Sequence, residues 1–476
     1  MLLRLPKSNV FFGNTLMIFF ARAFPSVANL LVIIGFSHVL PKDAYGSYSR
    51  FWIHLNLILP VITFGLHLVT VTYTPETLAA VSKSIKRVHL LGYAAWACTF
   101  GLLFAALQMH TTCTNFAIPL AFILIYAVAA IAEYVLTAFK NFTGILATNL
   151  FYSVVFVAIH LWVYKSNAPT SLIFSLLLPL IAIKAAIYLI MVSRGLREAQ
   201  GEAFSAEVAR RMRHLWLHLG VYDVSQNIFA WVDKFAVSLL LPPALTAIYF
   251  NGTQNIPFLP LLLSAAGNAV LIQTATTSAT DDRRQAADLM VLSGKMLACI
   301  VFPLFFFFEC YRAEFMVAVF SDKYVESIPL FAISLLILPL RAYSFTTLLQ
   351  KFHRGDLINA GGLMDLAIAC LLMYPLYHWF GTLGMAAAFV VSTYLQAGFY
   401  LFYSVKAVGL PVGRVFPLRD WVLKLVLFGG VFFLVKYFTA PLLSNWGNIF
   451  AGATLMVALV GSSLVRDMNR HKQQQP

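Results

Sequence analysis

Charged and amide side chains recur inside long apolar segments of this 476-residue chain, and two sets of them have helical spacing. The first set is spaced i, i+4, i+7 and the second i, i+3, i+4, so each set lies on one face of a helix. The sets are Arg22, Ser26 and Asn29, and, far along the chain, Asp223, Gln226 and Asn227. Because a guanidinium is a planar fork that keeps its charge, the first set suits an anionic ligand such as a phosphate or diphosphate.

Four more polar residues belong with these sets, because each lies in or at the end of an apolar segment. They are Arg50, Asn255, Arg341 and Asp365. A charge inside a membrane costs about 2.5–3.5 kcal/mol on insertion scales, so its side chain should face the protein interior or a watery cavity. Two interpretations stay open. Arginines and aspartates pair between helices as structural supports, or they share a cavity in which arginines and amides bind a substrate and Asp223 and Asp365 carry a coupling ion. Arg50 lies near a span end, where snorkelling to the interface is a further alternative.

The composition identifies the class of protein that must position these side chains. Hydrophobic residues make up 60% of the chain and charged residues 11%, whereas soluble globular chains are about 25% charged. So low a charged fraction excludes a soluble domain, and an aromatic content of 15% excludes a disordered chain. At roughly 20 apolar residues per span, the sequence predicts an all-α polytopic membrane protein with about 14 transmembrane helices.

Lysine and arginine concentrate in alternate loops between the predicted spans, most densely from Arg194 to Arg213. Cytoplasmic loops carry such an excess, so the pattern predicts that both the N- and the C-terminus are cytoplasmic. The same pattern accounts for the net charge of +14 without a nucleic-acid partner.

The long basic segment divides the predicted spans into two sets of six, followed by two more. The predicted parts are an N-terminal lobe at 1–192, an amphipathic cytoplasmic linker at 193–214, a C-terminal lobe at 215–405, and two further spans with a cytoplasmic tail at 406–476. Six spans return the chain to its starting side, so the lobes would be parallel repeats. Weak internal similarity agrees, because Gly46-Ser-Tyr48 aligns with Ala247-Ile-Tyr249.

Motifs for bond-making chemistry are absent from the sequence. It has neither the GxxxxGK[ST] motif of ATP-binding loops nor the GxSxG motif of serine hydrolases, and His214 and His218 lack the carboxylate of an HExxH zinc site. We therefore expect a transporter and not an enzyme, with no metal site and no cofactor. Its energy would come from an ion gradient, with a proton or a sodium ion as the coupling ion.

Short motifs spread along nearly the whole chain carry a family resemblance. They are Leu40-Pro-Lys-Asp-Ala-Tyr-Gly-Ser-Tyr48, Trp231-Val-Asp-Lys-Phe-Ala236, Phe320-Ser-Asp-Lys-Tyr324 and Phe380-Gly-Thr-Leu-Gly-Met-Ala386. In their order and spacing the chain resembles the polysaccharide and O-antigen flippases of the multidrug/oligosaccharidyl-lipid/polysaccharide exporter superfamily. The resemblance implies two six-helix lobes in a V around a cavity, two extra helices and alternating access. It also implies a polyprenyl-diphosphate-linked oligosaccharide as cargo, in the lipid bilayer of a bacterial inner membrane, with a glycan polymerase or other assembly proteins as possible partners.

The resemblance also implies roles for individual residues. Arg22 and Arg50 match arginines that peptidoglycan-precursor flippases carry in the first two spans, whereas the eighth span here has amides and no arginine. Asp223 and Asp365 match acids that bind sodium in those relatives, although Gly361 occupies the position of a companion asparagine. Our leading hypothesis adds that Arg341 and Arg50 assist Arg22 in holding the diphosphate, and that Asn29, Gln226, Asn227 and Asn255 bind the glycan. The alternatives are a multidrug antiporter of the same superfamily, a peptidoglycan-precursor flippase, and a scaffold for assembly enzymes.

Overall fold

The computed structural model describes residues 7–109, 115–199, 206–254 and 282–474, and every regular element in these ranges is a helix. The chain divides into two compact units, Met1–Ala247 and Ile248–Pro476. The first unit contains α1 Lys7–Val39, α2 Lys42–Thr63, α3 Leu66–Thr70, α4 Pro75–Ser84, α5 Arg87–Met109, α6 Ala117–Ala138, α7 Phe142–Lys165, α8 Ser171–Glu198 and α9 Ala206–Leu240. Helix α10, Pro243–Gly252, includes the point of division.

The second unit continues with longer helices interrupted by short ones. They are α11 Asp282–Cys310, α12 Arg312–Phe320, α13 Ile328–Leu335, α14 Thr347–Lys351, α15 Gly355–Phe380, α16 Thr382–Val408, α17 Val412–Val415, α18 Leu418–Thr439 and α19 Asn445–Gln474. Two 3-10 helices, Asp322–Ser327 and Leu338–Ala342, flank α13. Pro339 lies in the second of these, and its missing N–H keeps the predicted span 326–349 from continuing as one α-helix.

Eleven helical segments of the described residues are long and apolar enough to cross a membrane. The chain is therefore an all-helical, multi-pass membrane protein, as the composition predicts. Three further predicted spans, 49–73, 215–240 and 246–275, carry the charged and amide side chains that lower hydropathy. The first two coincide with helical structure in α2–α3 and α9, and the third begins in α10 but continues beyond the described residues. The total of fourteen spans stays a prediction.

The division of the chain by contacts differs in position from the predicted lobes. Residues 215–247, which include the whole predicted span 215–240, group with the helices that precede them. Helix α9 packs along α2 and α3 within the first unit. The six-plus-six repeat and the linker at 193–214 stay predictions.

A bend after α2 determines where the second predicted span meets α9. Phe64 and Gly65 have positive φ values of 42° and 66°, which end α2 and start α3 in a new direction. Gly65 is required there, because a Cβ on it would lie 2.7 Å from the Cα of Gly220. Trp216 Nε1 donates to the carbonyl of Phe64 at 2.7 Å, which fixes α9 against the bend. The bend thereby brings α3 next to α9.

Candidate functional site

The guanidinium of Arg22, on α1, lies over the ring of Tyr134, on α6, at 5.0 Å from the ring centroid. The Arg22 side chain is exposed. No carboxylate of the described residues forms an ion pair with it. Because a π face occupies only one side of a guanidinium, its N–H groups remain available to an oxygen ligand.

The ring of Tyr134 also contacts His67 of α3, with ring centroids 4.8 Å apart. His67 in turn places its Nε2 atom 3.5 Å from Oδ1 of Asp223, on α9. Asn227, one turn later, donates from Nδ2 to the same Oδ1 atom at 3.1 Å. Arg22, Tyr134, His67, Asp223 and Asn227 thus form one continuous chain of contacts across four helices, which we call the Arg22 cluster.

The two ends of the Arg22 cluster differ in exposure and in charge. Asp223 is buried, and its Oδ2 atom has no hydrogen-bond partner among the described residues. An unsatisfied buried polar group costs about 1–3 kcal/mol, and more when it is charged, so this oxygen is suited to a further hydrogen-bond donor or a small cation. The cluster therefore combines an exposed guanidinium, that of Arg22, with a buried carboxylate, that of Asp223.

Three further predicted amide residues do not belong to the contacts that define this cluster. Asn29 follows Arg22 by two turns of α1, and its Oδ1 atom is buried without a hydrogen-bond partner among the described residues. Gln226 is exposed on α9, between Asp223 and Asn227. Asn255 lies outside the described residues. Asn29 and Gln226 therefore provide polar groups on the same two helices as Arg22 and Asp223.

Arg50 makes a different set of contacts from Arg22. It is buried in α2, and its Nη2 atom donates to the carbonyl of Leu241 and, at 3.3 Å, to the hydroxyl of Thr246. Close packing accompanies these bonds, because a Cβ on Gly46 would lie 1.9 Å from the carbonyl oxygen of Pro243. In this structure Arg50 therefore stabilises the connection between α9 and α10, and the structure does not bring it into the Arg22 cluster.

Two of the predicted site residues, Arg341 and Asp365, lie in the second unit. Asp365, on α15, is 1% exposed, and neither of its carboxylate oxygens has a hydrogen-bond partner among the described residues. Arg341 is exposed on the 3-10 helix Leu338–Ala342. One turn before the acid, a Cβ on Gly361 would lie 2.2 Å from the ring of Tyr400. The ring of Tyr400 therefore occupies the space that an asparagine side chain at this position would need.

Two residues of the first unit were not predicted from the sequence. Tyr134 lies in an apolar segment and becomes significant only through the stacking of Arg22 on its ring. Asn149 is 1% exposed on α7 and donates from Nδ2 to the backbone carbonyl of Ala21 at 2.9 Å. Tyrosine and asparagine are common in helices, and no local spacing distinguishes these two. For Asn149, the one signal in the sequence is an amide side chain inside an apolar segment.

Metal ligands are sparse in the described residues, where no group of three or more His, Cys, Asp or Glu side chains could hold a metal ion. His214 and His218, exposed on α9, place their Nε2 atoms 3.3 Å apart. They form a pair of neighbouring imidazoles on the part of α9 that precedes the Arg22 cluster.

Comparison with known proteins relates the chain to a transporter fold. No protein-family model matches the sequence, and no curated protein matches it significantly. Among solved structures, the chain is similar to "Lipid II flippase MurJ, inward closed conformation", with a TM-score of 0.59 and 13% sequence identity. The match covers 95% of this chain and 99% of that chain. This chain therefore has a fold like that of a lipid II flippase over nearly its entire length.

Proposed function

We propose that the protein moves a polyprenyl-diphosphate-linked oligosaccharide, a unit of a surface polysaccharide or O-antigen, from the inner to the outer leaflet by alternating access. The observation that carries this proposal is the exposed guanidinium of Arg22, held over Tyr134 and without a described carboxylate partner. A fold shared with a flippase of a lipid-linked precursor supports it. The membrane would be the inner membrane of a bacterium, with both termini in the cytoplasm.

Arg22 would bind the diphosphate, because a guanidinium forms paired hydrogen bonds with phosphate oxygens. Asn29 and Gln226 would contact the sugars, and the polyprenyl chain would stay in the lipid. Asp223 and Asp365 would bind the coupling ion, a proton or a sodium ion, since each has a buried carboxylate oxygen without a described partner. Arg341 and Arg50 would provide further positive charge for the diphosphate. Asn227 and Asn255 would contribute to recognition of the sugars.

Two other cargoes share parts of this chemistry. A peptidoglycan precursor has the same polyprenyl diphosphate, so Arg22 would serve it equally well. A multidrug antiporter would instead need acids for cationic drugs, and among the predicted site residues the acids are Asp223 and Asp365. The exposed Arg22 is the feature that separates the two classes of cargo, because it attracts an anion and repels a cation.

Competitive binding tests the proposal. Native mass spectrometry would compare the wild type with Arg22→Ala in mixtures of a polyprenyl-diphosphate oligosaccharide and a cationic drug. Arg194→Ala, an exposed arginine near the end of α8, is the matched control. We expect the diphosphate lipid to be retained by the wild type and the control and lost from Arg22→Ala. Preference for the drug that does not depend on Arg22 would favour the antiporter.

A further inference from the structure

Helix α1 contains a proline three residues after Arg22. This proline leaves a backbone carbonyl without its usual hydrogen-bond partner. In an α-helix the N–H of residue i bonds to the carbonyl of residue i−4, so the carbonyl of Ala21 would pair with residue 25. Residue 25 is Pro25, which has no N–H. Ala21 is 1% exposed, so water does not replace the missing donor. In a membrane-spanning helix such a carbonyl needs another partner inside the protein.

Asn149 of α7 supplies that partner. Its Nδ2 atom donates to the carbonyl oxygen of Ala21 at 2.9 Å, and its side chain is almost completely buried. The amide is held in turn by its other end, because the hydroxyl of Tyr188 lies 2.9 Å from Oδ1. The amide therefore bonds at both ends and joins α7 to α1 at one defined position.

The bond to Ala21 belongs to a network that also reaches α6. The hydroxyl of Tyr188 lies 3.2 Å from Oε2 of Glu133, and the same carboxylate pairs with Nζ of Lys184 at 3.3 Å. Ala21 and Tyr188 share an apolar cluster with Ala132, which precedes Glu133 on α6. The network therefore contacts α1 at the residue before Arg22 and α6 at the residue before Tyr134.

We propose that Asn149 is a positioning residue that holds the guanidinium of Arg22 over Tyr134 by completing the backbone of α1 at Pro25. This inference rests on the proposed function, in which Arg22 binds the diphosphate. Without the amide, the Ala21 carbonyl is unsatisfied, and α1 must rotate or bend to reach another donor. Since Arg22 is the next residue, that movement carries its guanidinium away from the ring.

The amide of Asn149 replaces the N–H that Pro25 lacks, so substitutions at these two positions give a specific test. Asn149→Leu removes the donor to Ala21, while the Tyr188 hydroxyl keeps Glu133 as its acceptor. Pro25→Ala restores an N–H to α1, so the helix can satisfy the Ala21 carbonyl by itself. Thr148→Val is the matched control, because the one partner of the Thr148 hydroxyl among the described residues is the carbonyl of Gly144 in the same helix, at 2.8 Å. The probe is a polyprenyl-diphosphate oligosaccharide, and its affinity is measured by native mass spectrometry.

We expect Asn149→Leu to weaken binding by about fivefold, the effect of one net hydrogen bond. Thr148→Val should bind like the wild type, and Asn149→Leu combined with Pro25→Ala should recover the affinity. In an Arg22→Ala background, Asn149→Leu should have no further effect, because its action passes through Arg22. An equal loss in both backgrounds, or no recovery with Pro25→Ala, would overturn the positioning role.

The same experiment separates this inference from the proposed function. Binding that survives Arg22→Ala contradicts the proposed function itself. Binding that depends on Arg22 but not on Asn149 contradicts the positioning role alone. If Asn149→Leu does not fold, the double variant Asn149→Leu/Pro25→Ala is tested instead. A double variant that folds and binds the lipid in an Arg22-dependent way supports the positioning role of Asn149. A double variant that does not fold contradicts that role.

Discussion

Gly65 and Gly220 approach so closely that a Cβ on Gly65 would lie 2.7 Å from the Cα of Gly220. This contact joins the bend after α2 to α9, and it lies two residues before His67 and three before Asp223. A substitution here should therefore disturb the Arg22 cluster as well as the packing.

Gly65→Ala should lower the stability of the folded protein. Its positive φ of 66° is unfavourable for alanine, and the methyl group would collide with α9. Together these effects should reduce the free energy of unfolding by about 2–4 kcal/mol. Thermal unfolding in detergent measures the change. Gly35→Ala on α1 is the control, because no described atom beyond its own helix backbone lies within 4 Å of its Cβ position, and it should be neutral or slightly stabilising. Equal melting temperatures for both variants would contradict the close contact.

Tyr134→Phe and Tyr134→Leu should separate the aromatic face from the hydroxyl. The contact with Arg22 uses the ring, so phenylalanine should keep the affinity for a polyprenyl-diphosphate lipid. Leucine should weaken binding by about two- to fivefold, the equivalent of an exposed cation–π contact of roughly 0.5–1 kcal/mol. A titration of lipid against each purified variant measures the difference. Loss of affinity in both variants would show that the ring face is not the important group.

Asp223→Asn and Asp365→Asn should uncouple transport from the ion gradient. Each variant keeps the shape of a buried side chain but can no longer bind a proton or cation as a carboxylate does. We expect basal translocation in liposomes to persist while its acceleration by an imposed proton or sodium gradient disappears. Asp356→Asn, an exposed acid paired with Arg354, should respond to the gradient like the wild type. An undiminished response in both buried-acid variants would remove these aspartates from coupling.

Lys424→Met should destabilise the second unit. The Lys424 ammonium lies between two carboxylates, 2.8 Å from Asp420 and 2.7 Å from Asp467, and connects α18 with α19. Removal of one partner from a buried ion pair costs about 3–5 kcal/mol, because the remaining charge stays buried.

A second substitution checks this explanation. Asp467→Leu, added to Lys424→Met, removes one of the stranded carboxylates and should restore part of the lost stability. Thermal unfolding of the single and double variants makes the comparison. A double variant that is less stable than Lys424→Met would contradict the electrostatic cause.

The all-helical, multi-pass fold could be predicted from the sequence, because a membrane determines composition over the whole chain. Helical spacing placed Arg22 with Asn29 and Asp223 with Asn227, and both sets lie on helices, α1 and α9. Residues that share one face of a helix are close in sequence, so helical periodicity is enough to predict these sets. The sequence also singled out two acids, Asp223 and Asp365, each of which has a buried carboxylate oxygen without a described hydrogen-bond partner, since a charge in an apolar segment is costly wherever it occurs.

The partners of those residues could not be predicted, because they depend on which helices become neighbours. Nothing near Tyr134 in the sequence distinguishes it from other aromatic residues of the spans. For Arg50, the sequence allowed both a cavity position and an interfacial one, and its bonds to Leu241 and Thr246 arise only when α2 packs beside α9. The roles assigned to the predicted site residues stay proposals.

In the proposed mechanism, Arg22 binds the diphosphate while the protein moves the lipid-linked glycan across the membrane. The most direct measurement is translocation of a polyprenyl-diphosphate oligosaccharide by the purified protein in liposomes, comparing the wild type, Arg22→Ala and Arg194→Ala. We predict that the wild type and Arg194→Ala expose the glycan on the opposite leaflet and that Arg22→Ala does not, although it folds normally. Translocation by Arg22→Ala at the wild-type rate would contradict the claim.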